Sequence, residues 1–222
     1  MPRRNPILAD NEIYHVFNRS VARENIFSSS YYLRKAFEVV NFYRFNQRIR
    51  LSKFKALPSE LKEAYLSELD SKKYQVEIYC YAFMPNHFHF LLKQTQERGI
   101  RRFVSNFQNS FAKTFNLKND RNGALFQNPF KAKHVESDEI FTHISRYIHL
   151  NPVTSYLCRI EELPMQPNTS YPGYVGKVVK NFVNTDFLLR IFGSKEAYDQ
   201  FVKNQEDYQK SLKMMKDLIL DR

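Results

Sequence analysis

Residues 74–93 read Tyr-Gln-Val-Glu-Ile-Tyr-Cys-Tyr-Ala-Phe-Met-Pro-Asn-His-Phe-His-Phe-Leu-Leu-Lys. Two runs rich in β-branched and aromatic residues flank Met84-Pro85-Asn86, and proline beside asparagine between such runs predicts a hairpin. Working outward, 11–18 (Asn-Glu-Ile-Tyr-His-Val-Phe-Asn) has the same strand-forming composition. Between it and the hairpin, Ser28 to Ser30 can cap a helix that carries Leu33, Ala36, Phe37 and Val40 on one face. After the hairpin, Ile100, Phe103, Val104, Phe107, Phe111 and Phe115 recur every three or four residues, the period of an amphipathic helix. Gly123 then opens a turn, and 130–136 alternates as a fourth strand.

The resulting order, β-α-β-β-α-β, is the split arrangement of ferredoxin-like or RRM-like domains, so the fold class expected is α+β. A polar insertion spans 47–73, where Pro58-Ser59 predicts a short helix carrying Leu61, Tyr65 and Leu69. Ser137 followed by Asp138 and Glu139 predicts another helix start, because the hydroxyl caps backbone N–H groups and the acids suit the positive end of the dipole. That helix is expected to end near Leu150, since Pro152 disfavours helical geometry at Asn151. Pro164, Pro167, Pro172, Gly173 and Gly176 make 160–176 read as an extended connector. Beyond it, Asn184 or Thr185 and Ser194 look like caps within a helical C-terminal extension, 177–222. The main domain is therefore expected over 1–159.

A chain of 222 residues with 43% hydrophobic and 15% aromatic side chains can bury a substantial core. Lysine and arginine number 34 against 23 acids, a formal charge of +11. That balance favours a polyanionic partner, either nucleic acid or an anionic membrane surface. The excess lies entirely in 1–159, and 160–222 is neutral. No apolar run reaches the roughly 18 residues of a membrane-spanning helix. Met-Pro-Arg-Arg-Asn-Pro does not lead into a signal-peptide core. Cys80 and Cys158 are too few for a disulfide framework or a multi-cysteine zinc module. The expectation is a soluble cytoplasmic protein, with Cys80 in the core.

Two residue pairs carry potential chemistry. His87 and His89 sit two apart in a predicted strand, so their side chains share a face about 7 Å apart and can converge on one metal ion, while Phe88 and Phe90 face the core. Taken alone, such a pair also suits a strand surface. Tyr147 and Asn151 are four apart on a predicted helix and share its face. His143 also lies on that face, whereas His149 points off it towards packing. His15 and His134, in predicted strands, read as structural histidines.

The wording around both pairs is more specific. Met84-Pro85-Asn86-His87-Phe88-His89-Phe90-Leu91-Leu92 and Arg146-Tyr147-Ile148-His149-Leu150-Asn151-Pro152-Val153 resemble the two signature blocks of the single-tyrosine HUH transposases, with an IS200-like domain. The likeness is greatest to the REP-associated tyrosine transposase branch, and extends to Tyr14-His15-Val16-Phe17-Asn18-Arg19 and Gly123-Ala124-Leu125-Phe126-Gln127. It covers roughly 11–176. Pro129 departs from the pattern, standing where many relatives have arginine.

The resemblance implies a metal-dependent DNA strand transferase that cleaves single-stranded, hairpin-bearing DNA through a 5′-phosphotyrosine intermediate. It makes Tyr147 the nucleophile, and His87, His89 and Asn151 the ligands of a divalent ion, Mg²⁺ or Mn²⁺. Arg19, Arg101, Arg102, Lys131, Lys133 and Arg146 are the candidate phosphate contacts, which position DNA without reading its sequence. The same likeness points to a bacterial, nucleoid-associated protein and leans towards a monomer acting in cis. Two other functions fit the same residues. One is a non-cleaving nucleic-acid-binding protein on a retired transposase fold; the other is a nuclease that activates water at the metal.

Overall fold

The computed structural model describes residues 7–70, 73–178 and 180–204. Four antiparallel strands form one sheet: β1 (Ile13–Arg19), β2 (Val76–Met84), β3 (His87–Gln94) and β4 (Lys131–His134), in the spatial order β2-β3-β1-β4. With helices α1 (Ser30–Tyr43) and α4 (Gly99–Lys118) in the two crossovers, this is the expected ferredoxin-like α+β topology. The turn between β2 and β3 is Pro85-Asn86 alone, and β3 lies centrally, paired to β1 on its other side.

The two faces of the sheet bury different chemistry. On one face, Tyr14, Val16, Ile78, Tyr81, Phe83, Phe88, Phe90 and Leu92 meet α1 and α4. Phe103, Phe107, Phe111 and Phe115 stack along α4 with consecutive ring centroids 6.1–6.5 Å apart. Ser29 caps α1 by accepting from the Tyr32 amide, and Leu33, Ala36 and Val40 point inward as the spacing requires. The insertion contributes α2 (Leu51–Lys55), a short helix that the sequence pattern does not announce, and α3 (Ser59–Asp70). Tyr65 packs on Phe54 and Leu69 is buried, but Leu61 faces solvent.

The other face is covered by α5 (Asp138–Thr154). Ser137 caps it as expected, accepting from the Ile140 amide at 3.2 Å. It does not stop at Leu150: Asn151 is helical and Pro152 lies inside the last turn. Proline lacks only its own N–H, and the carbonyls of Asn151 and Pro152 still accept from Ser155 and Leu157, so the helix closes beyond it.

A second departure lies in β2, where a bulge after Ile78 turns both Tyr79 and Cys80 towards α5. Cys80 is buried, as expected, but on the α5 face rather than with Val76 and Ile78. A third concerns 160–176, which is not an extended connector. A 3₁₀ turn (Ile160–Met165) and α6 (Tyr171–Tyr174) bury Leu163, Tyr171 and Tyr174 against α5 and β2. Residues 168–170 also hydrogen-bond the edge of β2, through Phe83 N–H to the Asn168 carbonyl and Ser170 N–H to the Tyr81 carbonyl. Helices α7 (Asp186–Phe192) and α8 (Lys195–Lys203) complete a third layer, with Ser194 capping α8. The remainder of the C-terminal extension, 205–222, lies outside the described residues.

Candidate active site

The register between β1 and β3 assembles the site. Phe17 lies opposite His89, Arg19 opposite His87 and His15 opposite Leu91, so all six side chains share the face that α5 covers. Tyr147, on α5, comes down onto this row. Its ring meets His89 edge-on at 5.6 Å between centroids, and His15 edge-on at 5.9 Å. His87 and His89 are themselves edge-to-face at 5.0 Å. Asn151 is buried one turn further along α5, and its Nδ2 donates to the Tyr147 carbonyl at 2.9 Å. That bond occupies the amide nitrogen and leaves Oδ1 as an oxygen donor for a cation.

His87 is oriented by its neighbour. Its Nδ1 lies 2.7 Å from Asn86 Oδ1, and the Asn86 Nδ2 donates to the Arg23 carbonyl at 3.4 Å. An amide oxygen only accepts, so in the neutral ring the proton sits on Nδ1 and the lone pair on Nε2. His89 is almost fully buried, and its Nε2 has no hydrogen-bond partner. Burial, aided by the nearby His15, His87 and Arg19, holds its pKa well below the usual imidazole value. A neutral, buried imidazole with an uncommitted nitrogen has the properties of a metal ligand. Among the described residues no three His, Cys, Asp or Glu side chains are placed to hold a metal ion together, so a third protein ligand would be of another type, as the amide of Asn151 is.

The expected DNA contacts separate into three groups. Lys131 and Lys133 on β4 pair with Phe17 and His15, and together with Arg19 they border the histidines on the same face. The Lys131 ammonium lies 5.7 Å from the centre of the Phe17 ring. Arg101 and Arg102 sit on α4, across the sheet from the histidines, with Arg102 Nε donating to Gln75 Oε1. Arg146 is not an exposed phosphate contact: it is fully buried, its guanidinium donates to the carbonyls of Phe201 and Asn204, and it lies over the Phe201 ring at 4.1 Å.

The other histidines also find places. His143 pairs with Arg146 at 3.0 Å and packs on the Phe201 ring. His149 is buried between Tyr198 Oη, at 2.6 Å, and Ser170 Oγ, at 2.7 Å, and burial depresses its pKa to about 3. His134 pairs with Glu12. His15, expected to be purely structural, instead lies within the site, its Nε2 3.0 Å from His89 Nδ1. The alternation of His15 with Phe17 puts the two on one face, but only the register with β3 shows that it is the face of His87 and His89.

Residues 52–151 match the family model described as "Transposase IS200 like". Over that span the chain is similar to IS200-like transposases. The matched span holds the hairpin, both histidines, Tyr147 and Asn151. A solved structure titled as a REP-associated tyrosine transposase bound to a REP hairpin superposes with a TM-score of 0.51 at 13% identity. The match covers 84% of this chain and 90% of that one, so the shared fold extends beyond residues 52–151. No curated protein matches the sequence.

Proposed function

We propose that the protein is a single-tyrosine DNA strand transferase, with Tyr147 as nucleophile and His87, His89 and Asn151 as ligands of Mg²⁺ or Mn²⁺. The convergence of Tyr147 with His87 and with the uncommitted, buried Nε2 of His89 carries this reading. A divalent ion held there would neutralise charge on the scissile phosphate and fix its orientation for in-line attack. The protein's own residues supply the rest. Tyr147 presents its hydroxyl from a helix packed on two sides, which fixes the direction of attack. Its oxygen would bond to phosphorus as the bond to the 3′ oxygen breaks, giving a 5′-phosphotyrosine and a 3′-hydroxyl, and the bond energy kept in the ester permits rejoining. Arg19, Lys131 and Lys133 would track the DNA backbone beside the site.

The substrate inferred is single-stranded DNA carrying a hairpin, in line with the ligand in the structural neighbour's title. The C-terminal layer favours action in cis. Arg146, Ser145 and His149 tie α5 to α8 and α6, so that Tyr147 is held over the histidines of its own chain. The test is incubation with end-labelled single-stranded DNA from the flanks of the gene, with Mn²⁺ or Mg²⁺, followed by a denaturing protein gel. A labelled protein band in wild type, absent in Tyr147→Phe, is the expected result. Cleavage without a band, surviving in Tyr147→Phe, would establish the water-activating nuclease instead. Binding with neither cleavage nor band would favour the retired fold.

A further inference from the structure

We propose that His15 is a positioning residue for His89: it accepts the His89 Nδ1 proton and so presents the Nε2 lone pair to the bound cation. This rests on the metal-site reading above and adds a residue to it. The two nitrogens are 3.0 Å apart and the rings are within 19° of coplanar, as an in-plane N–H···N bond requires. Both rings are buried, at 0% and 1% exposure, so water does not compete for the bond. A neutral imidazole carries one N–H, and ligation through Nε2 demands that it be on Nδ1. Asn86 enforces this tautomer on His87 through an amide oxygen, and His15 does the same for His89 through a ring nitrogen.

The backbone explains why a residue on β1 can do this. His15 and Phe17 are two apart on β1, and Phe17 is the direct cross-strand partner of His89, so His15 reaches His89 along the diagonal on the same face. Phe17 stacks on the His89 ring at 5.6 Å, which fixes the ring plane while His15 fixes its proton. His89 is thus constrained by two β1 side chains before any cation binds. The buried, unpartnered Nε2 is the outcome of this arrangement.

Two measurements test the assignment. Nitrogen-15 NMR of the wild-type protein without metal reads the tautomer directly: His89 should be protonated on Nδ1, and protonation on Nε2 would overturn the proposal. Mn²⁺ titration then compares wild type, His15→Phe, His15→Gln and His89→Ala, with circular dichroism confirming the fold of each. His15→Phe should weaken Mn²⁺ binding about 10- to 100-fold, the usual consequence of losing such a partner. His15→Gln, whose Oε1 can accept the same proton, should recover part of the loss. Equal affinity in wild type and His15→Phe would overturn the role of His15, while leaving the metal site intact. Affinity unchanged in His89→Ala would overturn the metal site itself and the proposal with it. Should His15→Phe fail to fold, the NMR tautomer and His15→Gln decide the matter.

Discussion

The two faces of one sheet have been put to opposite uses. The α1/α4 face is a continuous aromatic and aliphatic surface, where Phe88 and Phe90 meet the phenylalanine ladder of α4. The α5 face, made by the alternate residues of the same strands, buries His15 and His89 beside the half-buried His87 and Tyr147, with Ser145, Arg146, His149 and several tyrosines behind them. Burying polar groups is costly unless each finds a partner, and most here do. The apolar face supplies stability that offsets the cost of a buried, unpartnered nitrogen on the opposite face. His89 Nε2, left without a partner, marks where the expense falls.

Substitutions on the two faces should therefore fail differently. Tyr147→Phe keeps the ring contacts with His89 and His15 and should fold normally, yet lose at least about a thousandfold in cleavage; single-turnover kinetics beside a thermal melt reads both. Phe107→Ala, in the fully buried ladder, should cost about 3–5 kcal/mol in urea unfolding. Any activity that remains in it should scale with the folded fraction. Arg146→Ala, which unpairs the Phe201 and Asn204 carbonyls, should cost roughly 2–3 kcal/mol while leaving the salt dependence of DNA binding unchanged.

Alkaline pH should act mainly on the α5 face. Burial raises the pKa of Tyr79, Tyr171, Tyr174 and Tyr198 on that face, and of Tyr81 on the opposite one, above the ordinary value of 10.0. The unfolded chain then releases these protons first, so stability is full below pH 10 and falls as pH rises above it. Urea midpoints compared at pH 9 and pH 11 should show the loss, and Tyr198→Phe should reduce it. The smallest effect expected is at the rim: Lys131→Ala and Lys133→Ala should each lower the salt slope of single-stranded DNA binding by about 0.7, with little change in stability.

How legible the two faces were in the sequence differs as well. The apolar face could be read from local pattern, because the period of Phe103 to Phe115 and the alternation of Phe88 with Phe90 are short-range signals. The hairpin at Pro85-Asn86 and the cap at Ser137 are likewise local. The α5 face depends on contacts between distant segments. His15 reaches the site only through the β1–β3 register, and Arg146 is withdrawn from the surface by residues more than 50 positions away. Proline and glycine made 160–176 read as a connector, although the burial of Tyr171 and Tyr174 decides its structure. Pro152 misled for a related reason: packing on both sides of α5 overrides a local preference. Tyr147, His87, His89 and Asn151 were singled out through the wording of two blocks; in the structure Tyr147 meets His89, His89 meets His87, and Asn151 bonds the Tyr147 carbonyl.

The central claim is that Tyr147, held above His89, forms the bond to DNA. Tryptic digestion of the DNA-linked protein, followed by fragmentation mass spectrometry, tests it most directly. Cleavage after Arg146 and Arg159 yields a peptide with two tyrosines, Tyr147 and the 96% exposed Tyr156. The nucleotide mass should fall on Tyr147. Its appearance on Tyr156, or on any other residue, would contradict the account.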